Sequence, residues 1–185
     1  MNALMEPKPL WPEAPRYCPE RALPAYRFVP GLNPHPTGKE NGHSYGKEEI
    51  KPPRLPPEQW RDNQVYLYGI DLYHQGYLWE SHEAWESLWH LTKKRDIEGQ
   101  YLQGLIQNAA AQLKLHIKNF EGALHLSMEA YRRLSTVADS EILDDAGRFM
   151  GIQMHELMMA MAEHYQPLWE NAERVQGPAP RLILA

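Results

Sequence analysis

The chain lacks four things that would narrow its class. It has one cysteine, Cys18, in 185 residues, so no internal disulfide can form, and a reducing, cytoplasmic location is expected. No stretch approaches the ~18 consecutive apolar residues of a spanning helix, and Met1–Leu10 carries prolines and charges where a signal peptide would carry an apolar run. No membrane association is therefore expected. There is no basic excess: 19 Lys and Arg face 24 Asp and Glu, a formal net charge of −5, which argues against a nucleic-acid partner held through its phosphates. The one basic run, Lys93-Lys94-Arg95, reads as a solvated helix end.

Proline is missing from most of the chain and crowded into the rest. Thirteen of the 16 prolines precede Glu58, and after Pro57 the next is Pro167. Each proline removes an amide donor and blocks the preceding helical turn. The chain thus divides into a Pro-rich extended arm (1–57), a helical-bundle domain (58–166) and a C-terminal tail (167–185). Trp11, Tyr17, Tyr26, Phe28, Val29, Leu32 and Tyr45 give the arm apolar anchors. They point to an arm in polyproline-like conformation that packs on its own body, or on a second subunit as the contact of a homo-oligomer.

The proline-free region has readable punctuation. Helices are expected over 58–74, 77–94, 96–118, 120–137 and 152–165, with a short sixth helix as one reading of 140–150. Gly76 and Asn119 supply breaks, and Asp96 an N-cap. Leu102, Leu105, Ile106, Ala109, Leu113 and Ile117 recur at helical spacing, and Met154, Leu157, Met158 and Met161 form a core-filling stripe. Leu72–Tyr77 lines up with Leu115–Phe120 at an offset of 43, which suggests paired helical hairpins of tetratricopeptide-like grammar in a compact bundle. The fold class is all-α, with five or six helices.

Chemistry concentrates in Trp79–Trp89, where eleven residues hold three indoles, three carboxylates and an imidazole. With Leu78 at zero on a helical wheel, Trp85 and Trp89 fall within about 20° and define a buried face. His82 falls at about 40°, Glu86 at about 80° and Glu83, nearer solvent, at about 140°. On the following helix Gln103 and Gln107 share one shoulder of the apolar stripe, and His116 lies near the stripe in the last turn. An antiparallel pairing of these helices would gather carboxylate, imidazole and two amides into one semi-buried cluster.

Three readings compete. In the first, the cluster is a closed network in a non-catalytic binding or assembly module, with a protein or small molecule as partner. In the second, His82 and Glu86 ligate a divalent metal, completed by His116, His125 or His155, or by His35 and His43 of the arm, as in a metal-dependent hydrolase. His82-Glu83-Ala84-Trp85-Glu86 lacks the second histidine of the zinc-protease helix, so that mechanism does not transfer. In the third, Glu86 is a base oriented by His82, with Glu83 nearby, in a small-ligand pocket or metal-free acid/base enzyme walled by Trp85 and Trp89.

Glu80, His82, Glu83, Glu86 and Trp89, followed by Gln103-Gly104-Leu105-Ile106-Gln107 and Ala109-Ala110, resemble the small all-helical prokaryotic family catalogued as domain of unknown function 309. His116 and Gly122-Ala123 also fit, and the resemblance spans roughly residues 64–165. It implies a compact helical bundle. It implies no activity, and it does not extend to the arm.

Overall fold

The computed structural model describes residues 5–38, 40–46 and 52–185; positions 1–4, 39 and 47–51 of the expected arm lie outside the described residues. A 3-10 helix, Pro57–Asp62, leads into α1 (Gln64–His74), α2 (Leu78–Trp89), α3 (Ile97–His116) and α4 (Phe120–Ala138). A two-residue hairpin, β1 (Arg148–Phe149) and β2 (Ile152–Gln153), precedes α5 (Met154–Trp169). The architecture is the expected all-α bundle. Among the described residues no helix is long and apolar enough to cross a membrane.

The element ends follow from local chemistry. The helix expected from Glu58 breaks at Asn63, whose side chain accepts the Tyr66 amide at 3.1 Å and caps α1. α2 stops at Trp89 rather than Lys94, and Lys94 Nζ folds back over the Trp89 ring at 4.2 Å. Asp96 sits at the N-cap of α3 with extended backbone, but its side chain makes no capping bond. The segment 140–150 is not a helix. Met150 and Gly151 both have positive φ, 46° and 82°, the twist a two-residue β-hairpin turn requires. α5 runs past Tyr165 to Trp169, with Pro167 tolerated in its last turn, and the Met stripe fills core as expected.

The two inter-helix turns share one geometry. The Gly76 amide bonds Tyr73 O and the Tyr77 amide bonds Leu72 O; the Lys118 amide bonds Leu115 O and the Asn119 amide bonds Lys114 O. Both are Schellman closures. The left-handed positions are Gly76 (φ +77°) and Lys118 (φ +59°). The turns therefore correspond at an offset of 42, one less than the sequence alignment, and Lys118, not Asn119, carries the strained backbone. Asn119 instead caps α4 by accepting the Gly122 amide at 2.9 Å.

α3 is the central helix, packed by α2 on one side and α4 on the other. Small residues set the spacing. A Cβ on Gly69 would lie 2.2 Å from Trp85 Nε1, so α1 presents a bare backbone where the fully buried indole of α2 lies. Gly104 does the same for Leu134 of α4 at 2.6 Å. The Trp85 indole N–H donates to Tyr66 O at 3.3 Å.

Buried polar groups on α1, α3 and α5 close a chain of bonds. Asn108 donates to Tyr73 Oη, Tyr165 Oη donates to Asn108 Oδ1 at 2.8 Å, and Gln112 Nε2 meets Tyr165 Oη and His164 Nε2 at 2.8 and 2.9 Å. Tyr73 Oη also donates to Pro180 O at 2.9 Å, which holds the C-terminal segment to the core. The described arm residues pack on the arm's own body, burying Cys18, Phe28 and Val29.

Candidate functional site

α2 buries Leu78, Glu80, Ser81, Trp85 and Leu88. On the same wheel these span about 200° to 360°, so the buried face is centred well away from the Trp85–Trp89 line. The displacement has a cause. Leu88 and Ser81 face the bundle, while the arm covers the side at about 200°, which the helix by itself would leave to solvent. Glu80 thereby becomes an inward residue, and His82 and Glu86 move to the edge, half-buried.

His82, Glu83 and Glu86 are brought together: one potential ligand atom from each lies within 4.8 Å of the other two. His82 Nδ1 stands 3.3 Å from Glu83 Oε1, close enough for charge contact but without the alignment of a hydrogen bond, so this buried ring nitrogen has no hydrogen-bond partner among the described residues. Glu83 is exposed, as the wheel placed it.

The other expected members go elsewhere. Gln107 accepts from Arg133 Nε at 3.1 Å and so faces α4, because the apolar stripe of α3 has α4 on its second side. Gln103 is half-buried and outside the group. His116 Nε2 donates to the Met5 carbonyl at 2.6 Å, tying down the start of the arm. Trp85 is walled in at 0% exposure, while Trp89 is half-buried with its indole N–H unpartnered among the described residues. His125 and His155 are exposed on α4 and α5. His43 bonds Glu80, and His35 packs edge-on against Phe28 and Trp79.

A cavity of about 100 Å³ opens between α2 and α3. Leu78, Trp79 and His82 line it from α2, Ala110, Leu113, Lys114 and Ile117 from α3 and the turn after it, and Pro30 of the arm closes one side. The imidazole and the ammonium are its two ionisable groups; the remainder is aliphatic or aromatic.

Sequence reasoning missed the carboxylates that seat the arm. Asp71, 1% exposed, accepts the Tyr17 amide at 2.7 Å and the Cys18 amide at 2.9 Å, with Arg16 Nε at 3.4 Å. Glu80, 7% exposed, accepts the Phe28 amide and His43 Nε2, each at 2.9 Å. Burial pushes the Glu80 carboxyl up, against the opposing pull of the His43 and Phe28 bonds. Burial and then the Asp71 charge push the Cys18 thiol up to about 11, which makes it a poor nucleophile. Long-range docking of this kind leaves no local periodicity. The one sequence signal was Glu80 itself, a carboxylate between an indole and the helix interior.

Residues 66–126 match the family described as Domain of unknown function (DUF309). The match covers α2, α3, nearly all of α1 and the opening turns of α4. It is shorter than the span over which the sequence motifs suggested a likeness, leaving the arm, the hairpin and α5 outside. No curated protein and no solved structure matches the chain.

Proposed function

Because the match to DUF309 names no activity, we propose on the geometry alone that the protein is a non-catalytic binding module that takes a small, mostly apolar ligand between α2 and α3. The observation that carries this reading is the cavity of about 100 Å³ with His82 and Lys114 in an otherwise apolar wall. An apolar pocket with a few convergent polar groups is the common form of a small-molecule site. Its size is somewhat below the ~150 Å³ engineered cavity that admits benzene, so a small ring or short branched chain suits it. An ammonium and an imidazole favour a ligand with an anionic or acceptor end.

A lone, buried cysteine supports a reducing, cytoplasmic setting for this role. The absence of a carboxylate from the cavity lining favours binding over acid/base turnover there. Metal-dependent hydrolysis at His82 and Glu86 draws support from their proximity, but the cavity does not supply the acid/base partner such a reaction uses.

Benzoate, isovalerate and benzyl alcohol are suitable probes in a calorimetric melt. A ligand that binds only the folded state raises the melting temperature with concentration, by the equivalent of ~2.7 kcal/mol at a hundredfold excess over Kd. Benzoate should outperform benzyl alcohol. Ala110→Leu, which fills the cavity, should abolish the shift while leaving the fold intact. Equal shifts in the Ala110→Leu variant, or none in the wild type at millimolar probe, would reject the reading.

A further inference from the structure

We propose that arm residues 26–36 form a strap whose seating on α2 and occupancy of the α2–α3 cavity reinforce each other, with Glu80 as the latch. The proposal rests on the ligand-binding reading and adds to it a regulation of the same site. On the α2 wheel, Leu78 and His82 at about 0° and 40° line the cavity, Trp79 follows at about 100° and Glu80 at about 200°. The strap covers that arc. The Phe28 amide donates to Glu80 Oε1 at 2.9 Å. The Phe28 and His35 rings meet Trp79 edge-on, with centroids 5.2 and 5.7 Å away. Pro30, two residues past the latched amide, then reaches the cavity and lines it.

The crest of the strap is a turn closed by its own bonds. The Val29 amide donates to Asn33 Oδ1 at 3.1 Å, and the Leu32 and Asn33 amides donate to Val29 O at 3.0 and 3.3 Å. Gly31, at φ +84°, takes the left-handed position between them. Such a turn carries Pro30 as a unit, so Pro30 meets the cavity when the turn is docked through Phe28 and Val29. Those two residues are buried, while Pro30, Gly31 and Leu32 are exposed beside the opening. A ligand in the cavity touches Pro30, and a Trp79 ring braced by Phe28 and His35, only while the strap is seated. It therefore binds the seated state more tightly, and by linkage it must shift the strap toward that state.

Native-state proteolysis of the full chain with benzoate tests the coupling. Trypsin cleaves after Arg27, next to the latched amide, and needs the strap released to do so. Benzoate at about a hundredfold excess over Kd should slow that cut at least about tenfold. Cleavage after Lys93, Lys94 or Arg95, exposed between α2 and α3 at the end away from the cavity, should keep its rate. Pro30→Gly removes the wall at an exposed position, and should lower benzoate affinity at least about threefold and weaken protection at Arg27. If benzoate raises the melting temperature but the Arg27 cut is not slowed, the coupling is overturned and the ligand reading stands. Equal slowing at Lys93–Arg95, or unchanged affinity in Pro30→Gly, also overturns the coupling. No melting shift in the wild type at millimolar benzoate overturns both.

Discussion

Glu80 Oε1 accepts the Phe28 amide and the His43 ring N–H together, each at 2.9 Å, so one carboxylate oxygen of α2 holds two separate points of the arm. Removing it leaves a buried amide without an acceptor. Glu80→Ala should destabilise the protein by about 2–4 kcal/mol and expose the arm to trypsin at Arg21 and Arg27. Glu80→Gln keeps an acceptor for Phe28 and should recover part of the loss. Urea unfolding and limited proteolysis read the two effects, and an arm that stays protected in Glu80→Ala would refute this anchoring role.

Gly69 sets two effects against each other. Helix propensity favours alanine by roughly 1 kcal/mol at an interior position. The added Cβ, however, would lie 2.2 Å from Trp85 Nε1, whose indole is fully enclosed. Overpacking typically costs 1–3 kcal/mol, so Gly69→Ala should be net destabilising and should shift the Trp85 emission. A higher melting temperature would show that the α1–α2 contact yields easily.

His74 should make stability depend on acid pH. Burial, and secondarily the Arg181 charge, lowers its pKa from 6.5 to about 4. Between those values the unfolded chain binds the proton and the folded chain does not, so stability is complete above the unfolded value and falls as pH drops toward 4. The full difference is on the order of 3 kcal/mol. His164 is lowered by burial and acts in the same direction, while the raised Glu80 carboxyl acts in the opposite one. Melting curves for wild type and His74→Gln across pH 7 to 4 isolate the His74 share as the difference between their slopes. Parallel slopes would contradict it.

Glu86 separates a closed network from an open edge. In a sealed cluster its loss would cost several kcal/mol; half-buried at the margin of α2, Glu86→Ala should change stability by less than about 1 kcal/mol. Chemical denaturation in metal-free buffer measures this, and a loss of 3 kcal/mol would restore the network reading.

What was legible in the sequence was what local chemistry controls. Proline spacing located the helical region, Gly76 marked the first turn, and the stripes on α3 and α5 marked core. The helical break at Asn63 was missed because Glu58–Asp62 contains no strong helix breaker, although Asp62-Asn63 offers cap chemistry. The site was half legible. His82, Glu83 and Glu86 fall together because one helix holds them. Gln107 and His116 fall elsewhere because α3 has neighbours on several sides, and a wheel cannot say which neighbour each shoulder meets. Asp71 and Glu80 were hidden for the same reason: each is explained by amides more than fifty positions away.

The Trp11 indole donates to Ala179 O across 168 positions of sequence, and Tyr17 Oη accepts the Leu184 amide across 167. At ~5–20 residues per second of translation, those partners are made roughly ten to thirty seconds apart. Two aromatic side chains near the start of the arm thus find these partners late. During synthesis Trp11 and the Tyr17 hydroxyl therefore wait without these partners until residues 179–184 have been made.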